Sequence, residues 1–216
     1  MTKKAFSRDL NNEEKVELKA VLKVAKQCNY ESKHTRHVTQ LALELFDDLA
    51  DLHQMGPHDR YYLLCAALLH DIGVHTEGPH GHHKTALNII LSTPLLKFSQ
   101  KDRLIIGSIA RYHRRALPSR NHDHFRALNP DERKTVCKLA GILRVADGLD
   151  YSHRSRISHT HTAFTDKKIL CTCYVRKEPV KKEIGSAEKK SDLLAETFNR
   201  KISFKTLKGE EFIGWS

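Results

Sequence analysis

The feature that most constrains this chain is an apolar run that ends in a histidine–aspartate pair. Seven apolar residues, Leu63–Leu69, lead directly into His70 and Asp71, and Gly73 follows two residues later. A short apolar run that stops at a glycine predicts a buried helix. Aspartate is rarely buried unless it is paired or binds a metal, and an adjacent imidazole and carboxylate suit a divalent cation. Because such a pair is about as often a structural feature as a metal-binding one, other residues have to show which role it has.

Three other predicted helices carry a histidine or an aspartate on their apolar faces. Their apolar stripes continue to His34, His113 and Asp147, and Asp150 follows one turn after Asp147. Each polar group would cost about 1–3 kcal/mol if it were buried without a partner, whereas one shared metal ion would compensate all of them. The alternative is a set of separately satisfied core histidines and capping aspartates. The predicted helices span residues 12–28, 32–52, 63–73, 100–115 and 131–150.

A histidine-rich segment follows the central pair. Glycine and proline mark residues 75–84 as a loop that turns into a helix near Thr85. This segment contains His82 and His83, which either reach a second metal or the substrate, or belong to a surface tract.

The character of the sequence changes after Asp150. Residues 157–165 and 169–175 are rich in β-branched residues and predict a hairpin. We expect a polar connector over 177–186, a helix over 187–200 and a strand over 202–207. The predicted fold is therefore mainly α, with a helical domain over residues 1–156. A small α+β subdomain over 157–216 can barely bury its own core, so we expect it to pack on the helical domain.

The charge balance predicts an anionic partner. The chain has a formal net charge of +11, and a phosphorylated small molecule, polyphosphate or nucleic acid would fit that charge. Aromatic residues make up only 7% and form no base-stacking arrangement, so nucleic acid ranks last. No apolar window approaches the roughly 18 residues that span a membrane, and we expect no membrane partner. The N-terminus lacks the apolar core of a signal peptide, and the five cysteines are an odd number, so we expect reduced thiols and a cytoplasmic protein.

Four motifs in chain order carry a family resemblance. They read HTRHVTQLALELFD at 34–47, AALLHDIG at 66–73, RYHRRALP at 111–118 and LAGILRVADGLD at 139–150. The first, second and fourth are similar to the metal signature of the HD superfamily. Together, the four resemble the C-terminal HD region of the exopolyphosphatase and guanosine-pentaphosphatase family. The resemblance implies an HD-domain helical bundle with a small C-terminal α+β appendage.

The resemblance also implies a metal-dependent phosphohydrolase that acts on a nucleotide or polyphosphate. Two imidazoles and two carboxylates suit manganese, iron, cobalt, nickel or zinc better than magnesium. Arginines that grip phosphate with two hydrogen bonds are candidate clamps. The implied metal ligands are His34, His70, Asp71 and Asp147; the residues implied for a second metal or for catalysis are His82, His83 and His113; the candidate phosphate-binding residues are Lys84, Arg111, Arg114, Arg115 and Arg144.

Two departures from the family pattern limit this expectation. The family carries an actin-like phosphatase module N-terminal to this region, and the sequence has no counterpart of it. Polyphosphatase activity is therefore not carried over directly. Val74 stands where many HD hydrolases have a basic residue, which removes one expected phosphate contact. The alternative is a non-catalytic polyphosphate-binding or regulatory module with a structural metal site. The sequence is also compatible with a homodimer.

Overall fold

The computed structural model of the protein describes residues 10–78 and 81–208. The outer ends of the predicted domains, together with Pro79 and His80 of the predicted loop, lie outside the described residues. The helices are α1 (Asn12–Gln27), α2 (Ser32–Asp48), α3 (Ala50–His53), α4 (Pro57–Leu69), α5 (Val74–Glu77), α6 (His82–Ser92), α7 (Gln100–Arg111), α8 (Asp123–Arg126), α9 (Pro130–Leu149), α10 (Lys181–Lys190) and α11 (Asp192–Phe198), and the strands are β1 (Ile157–Phe164), β2 (Lys168–Val175) and β3 (Lys201–Lys208).

Helix α4 is the centre of a helical bundle. All of its residues from Tyr61 to Leu69 are buried, as expected for a helix that is apolar on every side. It packs against α1, α2, α7 and α9, and α6 packs on α7. None of the helices in residues 10–78 and 81–208 is long and apolar enough to cross a bilayer.

The ends of α4 and α9 follow local sequence signals. Pro57 opens α4, and the Asp59 carboxylate accepts a hydrogen bond from the backbone N–H of Gly56. Asn129 caps α9 through hydrogen bonds from the backbone N–H groups of Asp131 and Glu132. Helix α4 ends at Leu69, four residues before the predicted stop at glycine. The histidine–aspartate pair consequently lies in a turn that follows the helix.

The buried face of α1 does not include Val16, the first apolar residue of the helix. Val16 is 64% exposed and Lys23 is exposed, whereas Leu18, Val21, Val24 and Ala25 are buried. The apolar side chains between Leu18 and Ala25 therefore form the buried face of the helix. This face packs against α4.

The C-terminal part contains a three-stranded sheet in the order β1-β2-β3. The predicted hairpin is confirmed by the antiparallel pairing of β1 with β2, and the predicted last strand is confirmed as β3, which runs parallel to β2. The polar connector predicted over 177–186 was wrong from Lys181 onward, because α10 begins there. Its buried face consists only of Glu183 and Ala187, so the sequence shows no apolar stripe.

The C-terminal helices pack directly on α9. A Cβ added at Gly148 would lie 2.7 Å from the Cα of Ala187 in α10, and one added at Gly141 would lie 3.1 Å from the backbone of Leu194 in α11. These glycines allow the backbones of the helices to approach closely. The predicted division of the chain at residue 156 stays a prediction.

Candidate metal centre

Segments that are far apart in the sequence meet in the interior and bring histidine and aspartate side chains together. His34 lies in the first turn of α2, His70 and Asp71 lie in the turn after α4, and Asp147 lies in the last turn of α9. The two histidines are completely buried, and Asp147 is 8% exposed. The structure thus brings together the four residues that the sequence singled out as one group.

The Nε2 atoms of the two histidines face the two carboxylates. His34 Nε2 lies 3.4 Å from Asp147 Oδ1 and 3.7 Å from Asp71 Oδ2. His70 Nε2 lies 3.4 Å from Asp71 Oδ2 and 3.9 Å from Asp147 Oδ1. Two ligand atoms that are each about 2.1 Å from one cation lie about 3.0–3.4 Å apart at ordinary coordination angles. The observed separations are close to this range, so only small movements would be needed to hold a cation.

The other oxygen of Asp71 faces a second pair of histidines. Asp71 Oδ1 lies 3.1 Å from His82 Nε2 and 3.5 Å from His113 Nε2. His82 is the first residue of α6, and His113 lies two residues beyond the end of α7. His83 is also buried, but within the described ranges no ion pair joins it to either aspartate; its ring centroid is 5.6 Å from that of His82.

Hydrogen bonds to Nδ1 orient three of these imidazoles. The Nδ1 atoms of His70 and His113 each lie 2.7 Å from a carbonyl oxygen, that of Ala67 and of Ala110 respectively. His34 Nδ1 lies 2.9 Å from Asp150 Oδ2. A proton on Nδ1 that is donated outward leaves the Nε2 lone pair directed at the centre, which is the tautomer that a metal ligand needs.

The structure leaves buried nitrogen atoms without partners at this point. The Nε2 atoms of His34 and His70 are buried and have no hydrogen-bond partner in the part of the chain that the structure describes. Such an atom costs about 1–3 kcal/mol. Among residues 10–78 and 81–208, two groups of three residues have ligand atoms within 4.8 Å of one another, namely His34–His70–Asp147 and His70–Asp71–His113. The donor set therefore fits a metal ion, and these residues could hold one.

The pKa shifts of the buried groups also indicate that the centre favours an added positive charge. Burial alone would lower the pKa of His34, but its pairing with Asp147 and Asp150 outweighs burial and raises that pKa to about 10. Burial would raise the pKa of Asp71, but His70, His82 and His113 hold it well below its usual value. Both effects mean that negatively charged carboxylates gather protons on their neighbours when no other cation is bound.

The roles of two residues at the centre, Lys190 and Asp150, were not predicted from the sequence. The ammonium of Lys190, in α10, donates a hydrogen bond to Asp147 Oδ2. Asp150 was noted only by its spacing, yet its carboxylate contacts His34, lies 3.3 Å from His37 Nδ1 and accepts the backbone N–H of Ser155. No periodic signal marks Lys190, because α10 has almost no apolar face.

The predicted phosphate-binding cations occupy different environments. Arg144 is buried, makes a bidentate ion pair with Asp192 and donates to the carbonyl of Tyr112. Arg111 is also buried, and its guanidinium lies 5.7 Å from the centroid of the Tyr112 ring. The side chain has no hydrogen bond or ion pair with any of the described residues, and its Nη1 is fully enclosed. Arg114 Nη1 lies 3.5 Å from His82 Nε2. Lys84 and Arg115 are exposed.

Fold and site together define a mainly helical protein with a buried histidine–aspartate cluster that could hold a metal ion. The family model described as Ppx/GppA phosphatase, domain III matches residues 16–182. The chain belongs to this family. The matched range begins within α1 and includes α2 to α9, all of the histidines and aspartates of the candidate centre, and the β1–β2 hairpin, and it ends just after the start of α10.

Proposed function

We propose that this protein is a metal-dependent phosphohydrolase of the HD type that acts on a nucleotide or polyphosphate. The observation that carries the proposal is the convergence of imidazole Nε2 atoms and carboxylate oxygens, with two of those nitrogens buried and without a hydrogen-bond partner among the described residues. The proposed ligands of the first cation are His34, His70, Asp71 and Asp147. A mixed nitrogen and oxygen donor set favours manganese, iron, cobalt, nickel or zinc over magnesium.

A second cation fits the same proposal. The two oxygens of Asp71 face different histidines, Oδ2 toward His70 and Oδ1 toward His82 and His113. A carboxylate in this position could bridge two cations, as in two-metal hydrolytic centres. We do not include His83 among the proposed ligands, because the centroid of its ring is 6.4 Å from the centroid of the His113 ring.

The side chains of the centre have distinct roles in this proposal. A bound divalent cation lowers the pKa of a water molecule and stabilises the negative charge that builds on phosphorus. The backbone carbonyls of Ala67 and Ala110 and the carboxylate of Asp150 fix the imidazole rings, so that the ligand geometry is formed in advance. Hydrolysis then transfers the phosphoryl group to water, and the bond between phosphorus and the leaving oxygen breaks.

The phosphate-binding part of the proposal is narrower than the sequence suggested. Arg111 is the strongest candidate, because a buried guanidinium with no acidic partner in residues 10–78 and 81–208 favours an anion beside it. Arg114 lies next to His82 and can reach a phosphate at the second pair of histidines. Lys84 and Arg115 are exposed and serve only as outer contacts, and we leave out Arg144, since Asp192 already holds its guanidinium.

The decisive experiment compares the wild type with Asp71→Ala. The protein is purified without a chelating column or a histidine tag, its metal content is measured, and phosphate release is screened over nucleotides and polyphosphates. We expect metal-stimulated release in the wild type, none in Asp71→Ala, and wild-type rates in Asp166→Ala, which removes an exposed carboxylate. Release that persists in Asp71→Ala, or a wild type that binds no metal, would contradict the proposal.

One observation favours a second candidate function, a polyanion-binding module without turnover. A cleft of about 680 Å³ between α1 and α2 is lined by cationic side chains that have no ion pair with any described residue. This function predicts polyphosphate binding that weakens with salt, survives Asp71→Ala and is accompanied by no phosphate release. The four cations that line the cleft are Lys19, Lys23, Lys26 and Arg36.

A further inference from the structure

Lys190 is the last residue of α10, and it enters the candidate metal centre from the C-terminal part of the chain. Its ammonium donates to Asp147 Oδ2, while Asp147 Oδ1 faces the Nε2 atoms of His34 and His70. The two oxygens of one carboxylate are thus divided between the imidazoles on one side and the ammonium on the other. Lys190 lies beyond the range that the family model matches.

The path of α10 fixes the position of this lysine. At Gly148, next to Asp147 in the chain, an added Cβ would lie 2.8 Å from the backbone N of Ala187 and 2.7 Å from its Cα. Lys190 follows Ala187 by three residues, which is nearly one helical turn. At the other end of α10, buried Glu183 accepts a hydrogen bond from Ser152 and pairs with Arg156. The helix is therefore held at both ends, so the lysine has little freedom to move away.

The ammonium has hydrogen-bonding capacity left over. A lysine carries three N–H donors, and within the described residues Asp147 is the acceptor for one of them and no other acidic group pairs with it. The side chain of Lys190 is 21% exposed, against 10% for that of Asp147. The ammonium consequently lies at the solvent edge of the centre, with donors free for an incoming anion.

We propose that Lys190 is a substrate-binding residue, whose ammonium, anchored on Asp147, contacts an anionic phosphoryl oxygen of the substrate. This inference rests on the proposed metal-dependent function and adds a contact from outside the metal ligands. The competing role of Lys190 is that of a counter-ion for Asp147 that makes no contact with the substrate. The two roles differ in one measurable respect: only a substrate-binding lysine contributes to the affinity for phosphate once the metal is bound.

The test uses Lys190→Met and Lys190→Arg, with Lys189→Met as the control. Lys189 is the exposed neighbour in α10, so both methionine variants lose one positive charge. Isothermal titration measures the affinity of each metal-free protein for Mn²⁺, and then the affinity of each Mn²⁺-loaded protein for inorganic phosphate. The KM and kcat for phosphate release are measured in parallel.

We expect Lys190→Met to bind Mn²⁺ at least as tightly as the wild type, because a neighbouring positive charge has been removed. Its affinity for inorganic phosphate should fall about tenfold or more, as for the loss of a charge-assisted hydrogen bond, and its KM should rise. Lys190→Arg should recover most of that affinity, and Lys189→Met should behave like the wild type.

Two results would overturn the assignment. Unchanged phosphate affinity in Lys190→Met would leave the lysine as a counter-ion only, and a large loss of Mn²⁺ affinity would make it a structural support for Asp147. A wild type that binds Mn²⁺ and phosphate in the expected pattern, but hydrolyses no phosphorylated compound, would refute the phosphohydrolase and uphold the role of Lys190.

Discussion

The close contact between α9 and α10 can be tested by the substitution Gly148→Ala. The added Cβ would lie 2.7 Å from the Cα and 2.8 Å from the N of Ala187, and 3.1 Å from the carbonyl carbon of Ser186. Contacts below 3.0 Å to backbone atoms cannot be relieved by rotating a side chain. Helix α10 would have to move away from α9, and Lys190 would move with it.

The size of the effect follows from two opposing contributions. Forcing an extra methyl group into a packed interface costs about 1–3 kcal/mol. Replacing a helical glycine by alanine returns up to about 1 kcal/mol of helix propensity. The expected net loss is about 1–2 kcal/mol in the free energy of unfolding, which lowers Tm by about 2–8 °C for a domain of this size.

The control is Gly185→Ala in α10, where an added Cβ has no neighbour within 4 Å. This variant gains helix propensity without a clash, so its Tm should rise, in line with about 0.5–1 kcal/mol of stabilisation. Thermal unfolding followed by circular dichroism, together with urea titration, measures both variants. A Gly148→Ala protein as stable as Gly185→Ala would refute the close approach of the two helices.

Three further predictions concern protons, buried charge and the cation. Burial lowers the pKa of His53, whose Nε2 donates to the carbonyl of Phe46 while its Nδ1 accepts the backbone N–H of Met55. The unfolded state therefore binds more protons below pH 6.5, and the stability of the protein falls on acidification. In urea titrations at pH 7 and 5, His53→Gln should lose less stability than the wild type, by up to about 1.4 kcal/mol per pH unit, whereas the exposed-site variant His58→Gln should follow the wild type. Arg111→Met should be at least as stable as the wild type in phosphate-free buffer, because it removes a buried charge that has no acidic partner among the described residues; a clear fall in its Tm would contradict this. Mn²⁺ at about 100 times its Kd should add about 2.7 kcal/mol of stability, and EDTA should reverse the shift in Tm; an unchanged Tm would count against a metal site.

The helical bundle and the positions of its polar groups could be predicted because they depend on periodicity. The apolar stripe of α2 continues to His34, and that of α9 continues to Asp147, so a regular helix places these residues on the buried side. The strands β1 and β2 carry an equally local signal in their β-branched residues.

The contribution of α10 could not be predicted, because the helix owes its place to tertiary contacts. It buries Glu183 and Ala187 and little else, and the buried glutamate is tolerated only since Ser152 and Arg156 pair with it. Lys190 has the same appearance in the sequence as the exposed lysines around it. Val16 of α1 is a related case, because it is apolar in the sequence yet 64% exposed in the structure.

The hydrogen bond from His37 to the first residue of β1 has a consequence for how the chain loses its structure. His37 Nε2 lies 2.7 Å from the carbonyl oxygen of Ile157, and the same histidine faces Asp150, which holds His34. Melting the sheet therefore breaks a chain of contacts that ends at the buried cluster. Because unfolding of either part removes contacts of the other, we expect the bundle and the sheet to unfold in one cooperative transition.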